Sequence, residues 1–211
     1  VLVNPGEEMK KVTLISILTI TFITISGLAA AQASPTAFLK AKDKKLSSLL
    51  KNADSNQGKI LKVVNKMLDF DTLCKDSLGK HWDTRSQEEQ KEFTETLKAL
   101  IEKNLIDRLT NTKDRKIEYR SENLEGNTAQ VTVEVATGDD PRADKLEIEY
   151  KMIKGGATWS VIDMVTDGVS LVGNYRSQFN KIITEDGWDT LMKKMKDKLA
   201  EQPENEPTQN T

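Results

Sequence analysis

Asp167-Gly168-Val169-Ser170-Leu171-Val172-Gly173-Asn174-Tyr175-Arg176-Ser177-Gln178-Phe179 is the stretch where strand periodicity gives way to helix periodicity, and it decides the fold. Asp-Gly marks a turn. Ser170 precedes Leu171, Val172, Tyr175 and Phe179 at helical spacing, which makes it an N-cap. The stretch predicts a corner, with a strand before it and a helix after it. Tyr175 and Phe179 are expected to point back toward whatever the sheet covers.

Upstream of the corner the apolar residues alternate. Ile117 and Tyr119, then Val131, Val133 and Val135, then Leu146, Ile148, Tyr150 and Met152 are each interleaved with polar residues, the pattern of three half-buried strands. Gly126-Asn127, Gly138 to Asp144 and Lys154-Gly155-Gly156 supply the turns. The fourth run, Trp159 to Val165, is apolar on both faces, so it is expected inside the structure and not at its rim.

Farther upstream the period is helical. Ser34-Pro35 starts a first helix carrying Phe38, Leu39, Leu46, Leu49 and Leu50. After a polar break from Asn52 to Gly58, a second helix runs to about Leu68, and a short third is expected with Asp71 as N-cap and Gly79 as stop. Thr84 or Ser86 opens a long helix with the stripe Phe93, Leu97, Leu100, Ile101, Leu105 and Leu109. Past the corner helix, Gly187 makes a break, and Trp188, Leu191, Met192, Met195 and Leu199 mark a last helix. Helices followed by antiparallel strands predict an α+β domain.

The 211 residues carry 31 Lys and Arg against 33 Asp and Glu, with 37% hydrophobic and 30% charged residues. That balance fits one soluble domain able to bury a core, excludes a multi-span membrane protein, and argues against nucleic-acid binding through a basic field. Cys74 and His81 are each the only residue of their type. An internal disulfide and a Cys/His zinc site are therefore excluded.

Met9-Lys10-Lys11, the apolar and hydroxyl run from Val12 to Leu28, and Ala29-Ala30-Ala31-Gln32-Ala33 follow the order of a secretory signal peptide. Cleavage is expected after Ala33, with Ala31 as the alternative. Residues 1–8, with Glu7 and Glu8, are expected to be an over-extended start. Ser34, not cysteine, follows the cleavage point, so the mature chain is expected free in an extracytoplasmic space. It comprises one domain over 34–201 and a polar, disordered tail over 202–211.

Two stretches carry a family resemblance: Asp163 to Phe179, and Leu78-Gly79-Lys80-His81-Trp82 followed by Gln90 and Phe93. They resemble the periplasmic phospholipid-carrier component of the Mla (maintenance of lipid asymmetry) system, also called the toluene-tolerance auxiliary family, over nearly the whole mature chain. The resemblance implies a twisted antiparallel sheet of about four strands wrapped by helices, an NTF2-like cone enclosing an apolar pocket for phospholipid tails. It also implies a monomer with phospholipid as cargo and no cofactor or metal. As partners it implies an inner-membrane ABC transporter with a membrane-anchored substrate-binding subunit, and an outer-membrane lipoprotein complex. Some relatives are associated with hopanoid metabolism instead.

A pocket between the sheet's apolar face and the long-helix stripe is expected to be lined by Leu97, Ile101, Val131, Val133, Val135, Ile148, Tyr150 and Met152. Val169, Val172, Tyr175 and Phe179 are expected to close its end. On the residues alone an ordinary filled core is the favoured reading of the same set; it is the resemblance that implies a pocket. No G-x-S-x-G surrounds Ser170, and no phosphate loop or H-E-x-x-H motif is present. An enzyme alternative on the same fold uses Asp163 with Tyr150 or Tyr175 in acid/base roles. Otherwise Asp163 is expected to bond backbone amides of the turn or pair with Arg176. His81 is expected to pack or face solvent, and Cys74 to be a small buried hydrophobe. The lysine-rich faces of the first helix and of Lys193 to Lys198 read as solvated faces or as contacts for anionic head groups or an acidic partner.

Overall fold

The computed structural model describes residues 33–111, 115–137 and 145–201. The predicted leader through Gln32, the hairpin loop expected over 138–144 and the tail from 202 lie outside the described residues.

Four α-helices and a 3-10 turn come first. In α1 (Pro35–Leu50) the Ser34 side chain accepts from the Ala37 amide at 3.1 Å, and Leu39, Leu46 and Leu50 are buried. Helix α2 (Ala53–Asn65) starts earlier than the polar composition suggests, so the expected break through Gly58 is its opening turns. Gly58 is exposed there, and only Ile60, Val63 and Val64 point inward. The helix also stops short of Leu68, because residues 67–69 leave it to run beside the sheet. Helix α3 (Phe70–Leu78) is capped by Asp69 and not by the expected Asp71. Asp69 has extended backbone, and its carboxylate accepts from the Thr72 amide (3.0 Å) and hydroxyl (2.9 Å). Asp71 sits in the first turn, where its charge still favours the helix dipole.

Gly79 ends α3 as expected and opens the 3-10 turn Gly79–Thr84. Ser86 and Glu89 then form a reciprocal capping box at the start of α4 (Gln87–Asn111). The Ser86 amide donates to Glu89 Oε2 (2.8 Å), and the Glu89 amide to Ser86 Oγ (3.2 Å).

The sheet is an antiparallel meander, β1 (Arg115–Glu125), β2 (Thr128–Thr137), β3 (Lys145–Gly155), β4 (Thr158–Thr166) and the two-residue β5 (Val169–Ser170), in spatial order β1-β2-β3-β4-β5. The four predicted strands are present, and β5 is added by the Asp167-Gly168 turn. Both of those residues have positive φ, 48° and 79°, as a two-residue type I′ hairpin requires.

Strand β4 is the last long strand of the meander and lies between β3 and the two-residue β5. Its free edge is nevertheless covered. The Val161 amide donates to the Met67 carbonyl (2.8 Å), the Asp69 amide donates to the Val161 carbonyl (2.9 Å), and β5 pairs farther along. A covered edge presents no row of open backbone groups to another chain.

Helix α5 (Leu171–Asp186) leaves β5 directly, and Gly187, at φ 86°, separates it from α6 (Trp188–Ala200). Helices and sheet share one hydrophobic core, in which Leu39, Ile60, Phe93, Leu97, Val131, Val133, Met152, Val161 and Leu191 are almost fully buried.

Candidate functional site

Strand register sorts the apolar residues of the sheet's inner face into rows. The deepest row is Ala129, Met152 and Val161, followed by Val131, Tyr150 and Met164, then Tyr119, Val133 and Ile148, and finally Ile117, Val135 and Leu146. Val161 and Met164 share this face because the β3–β4 register shifts by one residue, leaving Ile162 as a bulge.

Burial falls along β3, from Met152 through Tyr150 and Ile148 to Leu146, while the inner-face residues of β2 stay buried throughout. In the deepest row Ala129, Met152 and Val161 are buried, while Leu124, paired with Ala129 from the edge strand β1, is 57% exposed. In the middle rows only Val131 and Val133 are sealed, while Tyr119, Ile148, Tyr150 and Met164 are half-buried. The outermost row keeps Val135 buried and Ile117 half-buried, and Leu146 is 37% exposed. Helix α4 repeats the trend, from fully buried Phe93 and Leu97 to half-buried Leu105, Ile106 and Leu109. Only residues 112–114 separate α4 from β1, so Leu109 and Ile117 lie toward the same end. The apolar interior is thus sealed at one end and thinly covered at the other.

A polar cluster stands at the thin end. Asp43 lies in α1 on the side of Leu39, Leu46 and Leu50, facing the sheet, where the Tyr119 hydroxyl donates to its carboxylate. Burial raises the Asp43 carboxyl above its ordinary range, against the Tyr119 hydrogen bond and the nearby Arg115 guanidinium. Burial and then Asp43 raise the Tyr150 phenol, again opposed by Arg115. One carboxylate, one guanidinium and two phenols therefore border the half-buried apolar rows.

Of the predicted pocket residues, Leu97, Ile101, Val131, Val133, Val135, Met152, Val172 and Phe179 are buried in the common core. Ile148, Tyr150 and Tyr175 pack against it half-buried. Val169 is 60% exposed and stands outside the group, because the Asp167-Gly168 turn holds it at the sheet's rim. Two surface recesses, one between α4 and α6 at Glu92, Trp188, Met192 and Lys196, the other at Phe70, Trp82, Gln90 and Lys98, include none of the predicted residues. Ile117, Tyr119, Leu146, Met164 and Leu109 stand at the thinly covered end outside the predicted set. All but Met164 carry the alternating or helical signal that placed their elements, and Met164 is hidden by the bulge.

The two motif stretches meet in space. Arg176 of α5 donates from Nε to the Asp76 carbonyl (2.7 Å), not to Asp163 as one expectation had it, and its Cδ lies 3.2 Å from where a Cβ on Gly79 would stand. Gly79 also has φ 57°, a conformation that favours glycine, and a Cβ there would crowd the Arg176 side chain. His81 Nε2 is 3.1 Å from Asn180 Oδ1. Phe93 meets Phe179 edge-on at 5.5 Å, and Tyr175 stacks on Phe179 at 5.3 Å. These motifs form a brace that fixes α5 to α3 and α4.

Asp163 holds the corner itself. Its carboxylate accepts from Ser170 Oγ (2.7 Å) and the Val172 amide (3.1 Å), and Lys151 Nζ is 3.4 Å away. Ser170 Oγ in turn accepts from the Gly173 amide (2.8 Å) as the expected N-cap. Asp163 pairs with Lys151, whereas Tyr150 pairs with Met164, so Asp163 and Tyr150 face opposite sides of the sheet. The Asp163–Tyr150 pair of the enzyme alternative is not assembled.

Cys74 is fully buried, with Sγ 3.9 Å from the Thr94 carbonyl, and burial pushes its thiol up to about 12. A thiol reagent at pH 8 is expected to leave native protein unmodified and to label the single cysteine once denaturant is added; rapid labelling of native protein contradicts this packing.

Comparison with known proteins adds three findings. The family model described as MlaC protein matches residues 33–197. The chain is 28% identical over 209 residues to the Haemophilus influenzae protein named intermembrane phospholipid transport system binding protein MlaC, covering 93% of this chain and 96% of that one. Its fold is similar, with a TM-score of 0.68 and 19% identity over 78% of this chain and 96% of the other, to the solved phospholipid-binding protein from Ralstonia solanacearum, whose structure holds a phospholipid.

Proposed function

The chain belongs to the MlaC protein family, and from that premise we propose that it is a phospholipid carrier of the bacterial periplasm. It takes acyl chains against the inner face of the sheet and leaves the head group at the Asp43, Tyr119 and Arg115 end. The observation that carries this reading is the burial gradient, which leaves Ile117, Tyr119, Ile148, Tyr150, Met164 and Leu109 thinly covered beside a polar cluster. These residues, with Val135, Leu146 and Tyr175, are the proposed tail contacts. The sealed rows at Met152, Val161 and Leu97 form the floor.

A carrier has to solve a solvation problem. At about 0.8 kcal/mol per methylene, two long acyl chains exposed to water cost on the order of 20 kcal/mol, so the tails must be enclosed in transit. In a bilayer the same tails are already out of water, so uptake from a membrane is close to neutral and direction is supplied by partners. The proposed partners are an inner-membrane ABC transporter with its membrane-anchored subunit and an outer-membrane lipoprotein complex. The signal-like sequence before Ser34 supports export. The cargo enters by parting the half-buried rows, which separates fewer contacts than opening the floor.

Lipid uptake tests the reading. Delipidated protein mixed with vesicles holding labelled phospholipid is expected to emerge from a sizing column with about one label per chain. Label that stays entirely with the vesicles contradicts a carrier.

A further inference from the structure

The lysines of α6 and those of the first two helices differ in how they are partnered. Those of α6 are neutralised: Lys193 with Asp197 (2.6 Å), Lys194 with Asp186 (3.1 Å), Lys196 with Glu92 (2.5 Å) and Lys198 with Glu201 (2.8 Å). Residues 35–66 hold eight lysines, at positions 40, 42, 44, 45, 51, 59, 62 and 66, against Asp43 and Asp54. None of the eight forms an ion pair among the described residues. Lys59 meets only Asn56 Oδ1, Lys40 lies over the Tyr119 ring at 5.0 Å, and Lys42 over the Phe38 ring at 4.7 Å. All are exposed except the half-buried Lys42, whose ammonium is held below its ordinary value by burial and then by Lys66 and Lys45. Helices α1 and α2 pack against each other, so their exposed lysines share one region of the surface. The formal charge of this segment is +6 in a chain of net −2.

We infer that the α1–α2 face is a docking surface for anionic lipid head groups of a membrane, and that it sets the thinly covered end of the interior against the bilayer. The inference rests on the carrier reading and adds where the carrier meets its source of lipid. Two observations favour a membrane over an acidic protein. The patch borders the thin end, since Lys40 covers Tyr119 and Asp43 lies between Lys42 and Lys44. It is also built from lysine alone, with no arginine in residues 35–66. Protein interfaces enrich arginine and deplete lysine, whereas a diffuse field of phosphates is served by hydrated point charges.

Flotation with vesicles tests it. Mature protein beginning at Ser34 is expected to bind phosphatidylcholine vesicles containing about one-third phosphatidylglycerol at low salt, and to bind pure phosphatidylcholine at least about tenfold less. Binding is expected to fall in about 0.5 M salt. The triple change Lys40→Glu, Lys44→Glu, Lys45→Glu is expected to lower binding at least about tenfold while circular dichroism stays native. Lys193→Glu with Lys194→Glu, which reverses paired lysines, is expected to change it little. Equal binding to both vesicle types, no loss in the triple variant, or loss that follows the α6 lysines equally overturns the docking surface. So does wild-type protein that ignores anionic vesicles, including one that binds an acidic protein instead. The lipid content of the triple variant is read in parallel. Retained cargo with lost docking in the triple variant supports both readings, and wild-type protein that docks yet holds no lipid locates the failure in the carrier reading.

Discussion

Ile148→Arg is expected to yield a folded protein that has lost its lipid. Ile148 is half-buried between Val133 and Thr166, and an arginine there can carry its guanidinium out toward water along the thinly covered end. The fold should therefore survive at a cost of about 1–2 kcal/mol. A cation beside acyl chains costs roughly 3 kcal/mol, which corresponds to about a hundredfold loss of bound lipid. Val133→Arg is the contrast. Val133 is fully buried in the same row, and a charge there has no path to solvent, so that variant is expected to unfold. Normal lipid content in folded Ile148→Arg removes Ile148 from the tail contacts.

Asp163→Ala is expected to destabilise the protein by about 2–4 kcal/mol. It strips acceptors from the Ser170 hydroxyl and the buried Val172 amide, each costing about 1–3 kcal/mol when left unpaired. Lys151 adds little, because its ammonium is well exposed. Asp163→Asn keeps an acceptor and is expected to cost about half as much. Urea denaturation reads the effect as a lower midpoint at unchanged slope. A shift below about 0.5 kcal/mol in Asp163→Ala means the corner is held by packing alone.

The elements were legible in the sequence because each carries a local signal. Ser34, Ser86 and Ser170 are capping residues where the sequence places them, and the alternation in β1, β2 and β3 agrees with their register. Two signals misled. Polar composition hid the first turns of α2, since an exposed helix face needs no apolar residue. In β4 the bulge at Ile162 moves the apolar phase from Val161 to Met164, so one buried face reads as two. The extra cover on β4 comes from Met67 to Asp69, a pairing made by residues distant in the chain that periodicity cannot show.

The candidate site was less legible than the fold. The family motifs at 78–93 and 163–179 are the most distinctive residues of the chain, yet Gly79, His81, Phe93, Arg176 and Phe179 build the brace between helices. Ser170 and Asp163 likewise hold the corner. The thin end is made by Ile117, Tyr119, Leu146 and Leu109, whose apolar spacing matches that of sealed residues such as Val131 and Leu97. Only their depth in the folded protein separates the two sets, and depth depends on which element covers which row.

The most direct measurement is native mass spectrometry of the protein isolated from a bacterial envelope without detergent. A carrier is predicted to appear as protein plus one diacyl phospholipid, released as intact lipid on activation, with the Ile148→Arg protein running at the mass of the bare chain. Wild-type protein that appears only at the bare mass, and stays so after incubation with phospholipid vesicles, contradicts the account.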